Sequence, residues 1–176
     1  KNLIDFRDME QFALQILTRK ENGKRVPSEV AKEYQNTFEE VMIDEYQDSN
    51  LIQEAILTSV SRISRGENNL FMVGDVKQSI YRFRQAMPEL FVSRRGRYTP
   101  YAGKMEANGV SIVLDQNFRS RREVCDIVNT VFSQIVTKEA GDIDYTRSDY
   151  LVPGLAYQET DGMEPELCIV DCSESE

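Results

Sequence analysis

Histidine is absent from the 176 residues. That excludes a Ser-His-Asp triad, Cys-His proteolysis and any His-containing zinc site on this chain. Cysteine is scarce: Cys125, Cys168 and Cys172 are too few, and an odd number, for a disulfide framework. They read as core fillers without assigned chemistry. No uninterrupted apolar run approaches the roughly 20 residues of a membrane helix. The opening Lys-Asn-Leu-Ile-Asp-Phe-Arg-Asp is not a signal peptide. Internal repeats and low-complexity stretches are lacking too. The expectation is a soluble, cytoplasmic protein.

Hydrophobic residues make up 40% and charged residues 29%, enough for a packed core. The net charge is −9, which argues against a polyanion partner if spread evenly. It is not. Residues 76–105 hold Lys77, Arg82, Arg84, Arg94, Arg95, Arg97 and Lys104 against Glu89 alone, a net +6 that leaves −15 elsewhere. Tyr81, Phe83, Phe91, Tyr98 and Tyr101 are interleaved with these cations. Such a segment is either an electrostatic footprint for a polyanion or a solvated loop with its aromatics turned inward.

Apolar periodicity predicts a first helix through Phe6, Met9, Phe12, Ala13, Ile16 and Leu17, capped by Asp5 and ended by Asn22-Gly23. A short helix follows Pro27-Ser28. Val41-Met42-Ile43 reads as a buried strand. The next helix runs through Ile52, Ala55, Ile56, Val60 and Ile63, with Asp48 or Ser49 as its cap. Leu70–Val73, Ser111–Leu114 and Leu167–Val170 read as further strands. Ser120-Arg-Arg-Glu123 matches a capping box ahead of a helix whose buried face is Val124, Ile127, Val128, Val131 and Ile135. Residues 76–110 read as loops and short helices, and 139–166 as an extended surface loop. Strands separated by helices imply an α/β parallel sheet, and near-continuous apolar strands imply helices on both its faces. Both ends read as cut, as in a segment of a longer protein.

Three motifs carry chemistry. In Val41-Met-Ile-Asp44-Glu45-Tyr-Gln47-Asp48, two acids follow a strand, where open parallel sheets gather function. One carboxylate there can hold Mg²⁺ and its neighbour can orient or deprotonate a water; capping of the following helix is the structural alternative. In Gly74-Asp-Val-Lys77-Gln78-Ser-Ile-Tyr81-Arg82-Phe83-Arg84, Gln78 offers both donor and acceptor to a terminal phosphate. Tyr81 and Phe83 can stack on bases, and Arg82 and Arg84 can bind phosphates or carboxylates, unless this loop fills a core gap. In Gln116-Asn117-Phe118-Arg119-Ser120, the Arg119 guanidinium stands just before a helix N-terminus, poised to share an anion with it.

Together, in this order and spacing, the motifs resemble those of superfamily 1A helicases, the UvrD/RecB group. Asp44–Asp48 is similar to motif II (Walker B), Gly74–Arg84 to motif III and Gln116–Ser120 to motif IV. Lys77, Phe83, Ala86-Met-Pro88-Glu-Leu-Phe91, Ile143-Asp-Tyr145, Leu151-Val-Pro-Gly154 and Asp5-Phe6-Arg-Asp8-Met9 narrow the resemblance to the AddA (RexA) type of helicase–nuclease. The resemblance implies RecA-like parallel sheets flanked by helices, in parts of two motor domains with ATP between them. Residues 1–108 would be the back part of the first motor domain and 109–176 the beginning of the second. It implies that Asp44 binds Mg²⁺, Glu45 is the catalytic base, Gln78 couples to the γ-phosphate and Arg119 is an arginine finger. Tyr81, Phe83 and Arg84 would touch single-stranded DNA, with Phe83 offering a smaller stacking face than the tryptophan common in relatives. It further implies double-strand break processing for recombinational repair, with an AddB-like (RexB-like) partner.

The phosphate cradle Gly-x-x-x-x-Gly-Lys-Ser/Thr is missing. Asn22-Gly-Lys24 and Gly103-Lys104-Met105 both lack the Ser or Thr. The chain alone is therefore expected neither to hydrolyse ATP nor to cut DNA. A non-catalytic helicase-like DNA-binding module and a purely structural α/β interaction domain are the alternatives.

Overall fold

A computed structural model describes residues 3–79, 85–104, 109–141, 144–158 and 160–170. The chain falls into two compact units, Lys1–Ile112 and Val113–Glu176.

The first unit opens with α1 (Phe6–Leu17). Asp5 caps it as expected: its Oδ1 accepts from Asp8 N at 2.8 Å, and Asp8 Oδ2 accepts from Asp5 N at 3.1 Å. The helix stops at Leu17, earlier than Asn22-Gly23. Those two residues instead form the tip of an antiparallel hairpin, β1 (Thr18–Glu21) against β2 (Lys24–Pro27). Both have positive φ, which matches the twist of a two-residue hairpin turn. The helical periodicity runs straight into polar strands too short to signal themselves. Ser28 caps α2 (Glu29–Thr37), its Oγ accepting from Ala31 N at 3.1 Å.

The expected strand at 41–43 forms as β3 (Val41–Ile43) and pairs in parallel with β4 (Leu70–Met72). Between them lie a 3₁₀ turn (Tyr46–Asp48), α3 (Leu51–Val60) and a second 3₁₀ turn (Arg62–Arg65) ended by Gly66 in the left-handed region. The cap of α3 is Asn50, neither Asp48 nor Ser49. Its Oδ1 accepts from Ile52 N and Gln53 N at 2.8 and 3.0 Å, because the 3₁₀ turn delays the helix start. After β4 come a 3₁₀ turn (Val76–Gln78), α4 (Pro88–Arg95) and a parallel bridge between β5 (Thr99–Pro100) and β6 (Val110–Ser111).

In the second unit, β7 (Gln116–Asn117) pairs in parallel with β8 (Val152–Pro153), flanking α5 (Arg122–Ile135), α6 (Lys138–Gly141) and a 3₁₀ turn (Arg147–Asp149). Asn129 ties α5 to β8. Its Nδ2 donates to Leu151 O at 3.0 Å, and its Oδ1 accepts from Leu151 N at 2.9 Å and Tyr145 Oη at 2.7 Å. Tyr145 also packs edge-on to Phe132 and stacks on Tyr150. Tyr145 and Leu151, both prominent in the sequence, thus anchor this unit.

The secondary structure is mixed helix and strand, with parallel pairing at β3–β4, β5–β6 and β7–β8. Several expectations fail. Among the described residues the strands form four two-stranded sheets rather than one continuous sheet. Met42 and Phe71 are 68% and 55% exposed, so β3–β4 is not covered on both faces. Ser111–Leu114 shrinks to β6, and Leu167–Val170 forms no strand: Leu167, Ile169 and Val170 lie exposed. An apolar run becomes a strand only beside a pairing partner. The capping box at Ser120 also fails. Ser120 N donates to Asn117 Oδ1 at 2.7 Å, Arg121 takes the cap position without a side-chain bond, and Glu123 faces Arg121 at 3.7 Å. The buried residues of α5 are Cys125 and Asn129, whereas Val124 and Ile135 are exposed.

Candidate functional site

The site grows from the carboxyl end of β3. The parallel ladder continues past both strands: Val73 N donates to Ile43 O and Tyr46 N to Val73 O, each at 2.9 Å. This brings Asp44-Glu45 beside Gly74-Asp75. Glu45 has φ 51° and ψ 40°, the left-handed region. Glycine, with no Cβ, would sit there freely; a glutamate costs about 1–3 kcal/mol and is held only where surroundings over-determine it. Here they do. Asp44 Oδ1 accepts from Glu45 N at 2.9 Å, and the 3₁₀ turn that follows closes through Asp48 N to Glu45 O at 2.9 Å.

Gln47 is 1% exposed and sits between the two strand ends. Its Nε2 donates to Glu45 Oε2 at 2.7 Å, and its Oε1 accepts from Asp75 N at 3.0 Å. Gly74 makes the approach possible. A Cβ at Gly74 would stand 2.6 Å from Gln47 Oε1 and 3.2 Å from Gln47 N. The amide oxygen is bonded and buried, so it has nowhere to retreat. Gly74→Ala is expected to destabilise the fold by about 1–3 kcal/mol, measured as a lower urea midpoint.

Asp75 organises the next turn. Its Oδ1 accepts from Lys77 N at 3.0 Å and pairs with Lys77 Nζ at 2.9 Å; its Oδ2 accepts from Gln78 Nε2 at 3.1 Å. Burial pushes the Asp75 carboxyl up, but the hydrogen bonds from Lys77 and Gln78 and the Lys77 charge together outweigh it and hold it below the usual range. A carboxyl lowered on folding stabilises the native state above its unfolded pKa of about 3.9, and that contribution vanishes as pH falls through the lower folded value. Asp75→Asn should therefore cost about 1–2 kcal/mol near neutrality, with the two urea midpoints converging in acid.

Asp44, Glu45 and Asp48 line an open cleft of about 380 Å³, floored by Ile56 and Leu57 of α3. Asp48 Oδ1 is buried without a hydrogen-bond partner. Burial first, and the Glu45 charge second, push the Asp48 carboxyl up. Tyr46, fully buried, donates its hydroxyl to Glu54, and Arg94 Nε reaches Tyr46 Oη at 2.8 Å and Glu54 Oε1 at 3.0 Å. Phe91 packs edge-on to the Tyr46 ring. Desolvation and the Glu54 bond push the Tyr46 phenol up; the Glu54 bond and charge, against desolvation, push Arg94 up.

The first unit thus brings together Asp44, Glu45 and, through Gln47 and Asp75, Gln78. Arg119 belongs to the second unit. Its N donates to Asn117 Oδ1 at 2.9 Å, its O accepts from Tyr157 Oη at 3.0 Å, and its exposed guanidinium has no partner among the described residues. Tyr81, Phe83 and Arg84 lie outside the described residues, as does Arg82. Of the other cations in the basic segment, Lys77 and Arg94 are spent on Asp75 and Glu54, while Arg95, Arg97 and Lys104 are exposed. Sequence reasoning missed the roles of Gln47, Gly74, Glu54 and Arg94. The adjacency of Gln47 to two acids is the one signal for it.

The family model for the UvrD/REP helicase N-terminal domain matches residues 1–99. The chain belongs to the UvrD/REP helicase family. Bacterial proteins of the ATP-dependent helicase/nuclease resemble this UvrD/REP chain along its whole length. That of Lachnoclostridium phytofermentans is 49% identical over 99% of this chain and 13% of its own length. Those of Clostridium kluyveri and Listeria welshimeri are 48% and 46% identical over 100% of this chain and 14% of theirs. The chain therefore spans about one seventh of the curated relatives it matches. No helix among the described residues of this UvrD/REP chain is long and apolar enough to cross a membrane.

Proposed function

We propose that this chain is a segment of an ATP-driven DNA helicase–nuclease of the AddA type, acting in the cytoplasm. Residues 1–108 would belong to the first RecA-like motor domain and 109–176 to the second. The observation that carries the reading is the strand-end pair Asp44-Glu45, with Glu45 in the left-handed region and its carboxylate tethered by Gln47.

The donor set fits Mg²⁺ held by phosphates and a single carboxylate. Asp44 is an exposed hard-oxygen ligand at the strand end. Among the described residues no group of three or more His, Cys, Asp or Glu is placed to cage a metal. Mg²⁺ suits such a site, since it commonly takes one or two carboxylates plus substrate phosphates. When bound, Mg²⁺–ATP supplies the cleavable phosphoanhydride and its charge neutralisation. Asp44 orients the metal. Glu45 positions the attacking water and accepts its proton. Gln78, fixed to Asp75, reports on the terminal phosphate, and Arg119 lends positive charge to it. Tyr81, Phe83 and Arg84 contact single-stranded DNA. In the whole protein this cycle drives translocation during double-strand break processing, beside an AddB-like partner.

The test is ATP turnover by the full-length protein with and without single-stranded DNA. Strong stimulation by DNA is expected. DNA binding that is salt-sensitive but indifferent to ATP, with no turnover, would instead indicate a non-catalytic binding module. The 176-residue chain alone, lacking the phosphate cradle, is expected to show no multiple turnover.

A further inference from the structure

We propose that Gln47 is a positioning residue that holds the Glu45 carboxylate in one orientation and ties it to the Gly74-Asp75 turn. The inference rests on the motor reading, in which Glu45 acts on the attacking water.

Glu45 is exposed, and among the described residues Gln47 is the one side chain bonded to its carboxylate. Gln47 itself has no freedom. It is buried, its Nε2 is used on Glu45 Oε2 at 2.7 Å and its Oε1 on Asp75 N at 3.0 Å. Flipping the amide would set its oxygen against the carboxylate and its NH₂ against the Asp75 N–H, two repulsions in place of two bonds. The orientation is therefore single-valued. The path continues through the Asp75 carboxylate to Gln78 Nε2 at 3.1 Å. Glu45 and Gln78, the two groups expected to flank the terminal phosphate, are thus linked by polar contacts through one buried amide.

A long exposed glutamate samples several rotamers, and a base must lie within hydrogen-bond reach of the proton it takes. Gln47 removes that freedom beforehand. It does not itself line the cleft, so its loss should act on turnover and not on nucleotide affinity.

The experiment uses the full-length protein with single-stranded DNA. Gln47→Met keeps the volume and removes both bonds. Gln47→Glu keeps the acceptor toward Asp75 N but sets a carboxylate against Glu45, so the test does not depend on one variant folding. Each is expected to lower kcat by about 10- to 100-fold with KM for ATP within about twofold of wild type. In a Glu45→Asp background, whose shorter carboxylate withdraws from Gln47, adding Gln47→Met should change kcat by less than about twofold. An equal loss in both backgrounds, a rise in KM matching the fall in kcat, or an unchanged kcat would overturn the proposal while leaving the motor reading intact. If wild type itself shows no DNA-stimulated turnover, the motor reading falls and this inference falls with it.

Discussion

Glu45→Gln in the full-length protein is expected to lower DNA-stimulated ATP turnover by about 10²- to 10⁴-fold while nucleotide binding persists. The substitution is nearly isosteric. The new amide can turn its oxygen toward Gln47 Nε2, so the 2.7 Å tether and the left-handed turn are preserved. What disappears is the negative charge and the ability to take a proton from water. A loss of turnover without a loss of affinity therefore assigns the chemistry to this carboxylate. Steady-state turnover and nucleotide titration on the same preparation read both quantities. Turnover within about threefold of wild type would remove Glu45 from the chemical step.

The largest stability effect is expected at Arg94. Arg94 and Glu54 form an ion pair whose side chains are only 17% and 18% exposed. Tyr46 completes the cluster, its hydroxyl donating to Glu54 and accepting from Arg94 Nε. Truncating one partner of a buried pair leaves the other charge without compensation, a cost of about 3–5 kcal/mol. Arg94→Ala should therefore lower the urea midpoint by far more than Arg95→Ala, whose residue is exposed. Adding Glu54→Gln to Arg94→Ala should recover part of the loss, because it removes the orphaned charge. Arg94→Lys should rescue incompletely, since an ammonium cannot reproduce the guanidinium fork. A cost for Arg94→Ala below about 1 kcal/mol would show that the pair is solvated and not structural.

These two expectations separate the basic segment into parts that its charge alone leaves together. Arg94 and Phe91 lock α4 onto the turn that carries Glu45, and Lys77 locks onto Asp75. The exposed Arg95, Arg97 and Lys104 remain available to a polyanion. Inward-turned aromatics and an electrostatic footprint are thus not exclusive, and the segment divides between them.

Local signals are legible where a single residue decides a local bond. Asp5 and Ser28 cap their helices because a short oxygen-bearing side chain reaches the first amides without help from elsewhere. Val41–Ile43 is a strand because a compact β-branched run finds its partner at Leu70–Met72. Where two outcomes compete for the same amide, sequence is not enough. Ser120 could have capped α5, yet Asn117 takes its N–H first. Asp48 could have capped α3, yet the turn through Tyr46 moves the start to Asn50.

By itself the sequence determined the family, the order of the motifs and the acids at the end of β3, because these depend on residue identity and spacing. Only the tertiary structure decided what holds them. The parallel pairing of β3 with β4 brings Gln47 against Gly74, and a contact between residues so far apart along the chain has no local signature. Glu45 is held in a left-handed turn, and Glu54 and Arg94 meet over Tyr46 from α3 and α4. Burial makes those contacts strong, and burial belongs to the folded chain.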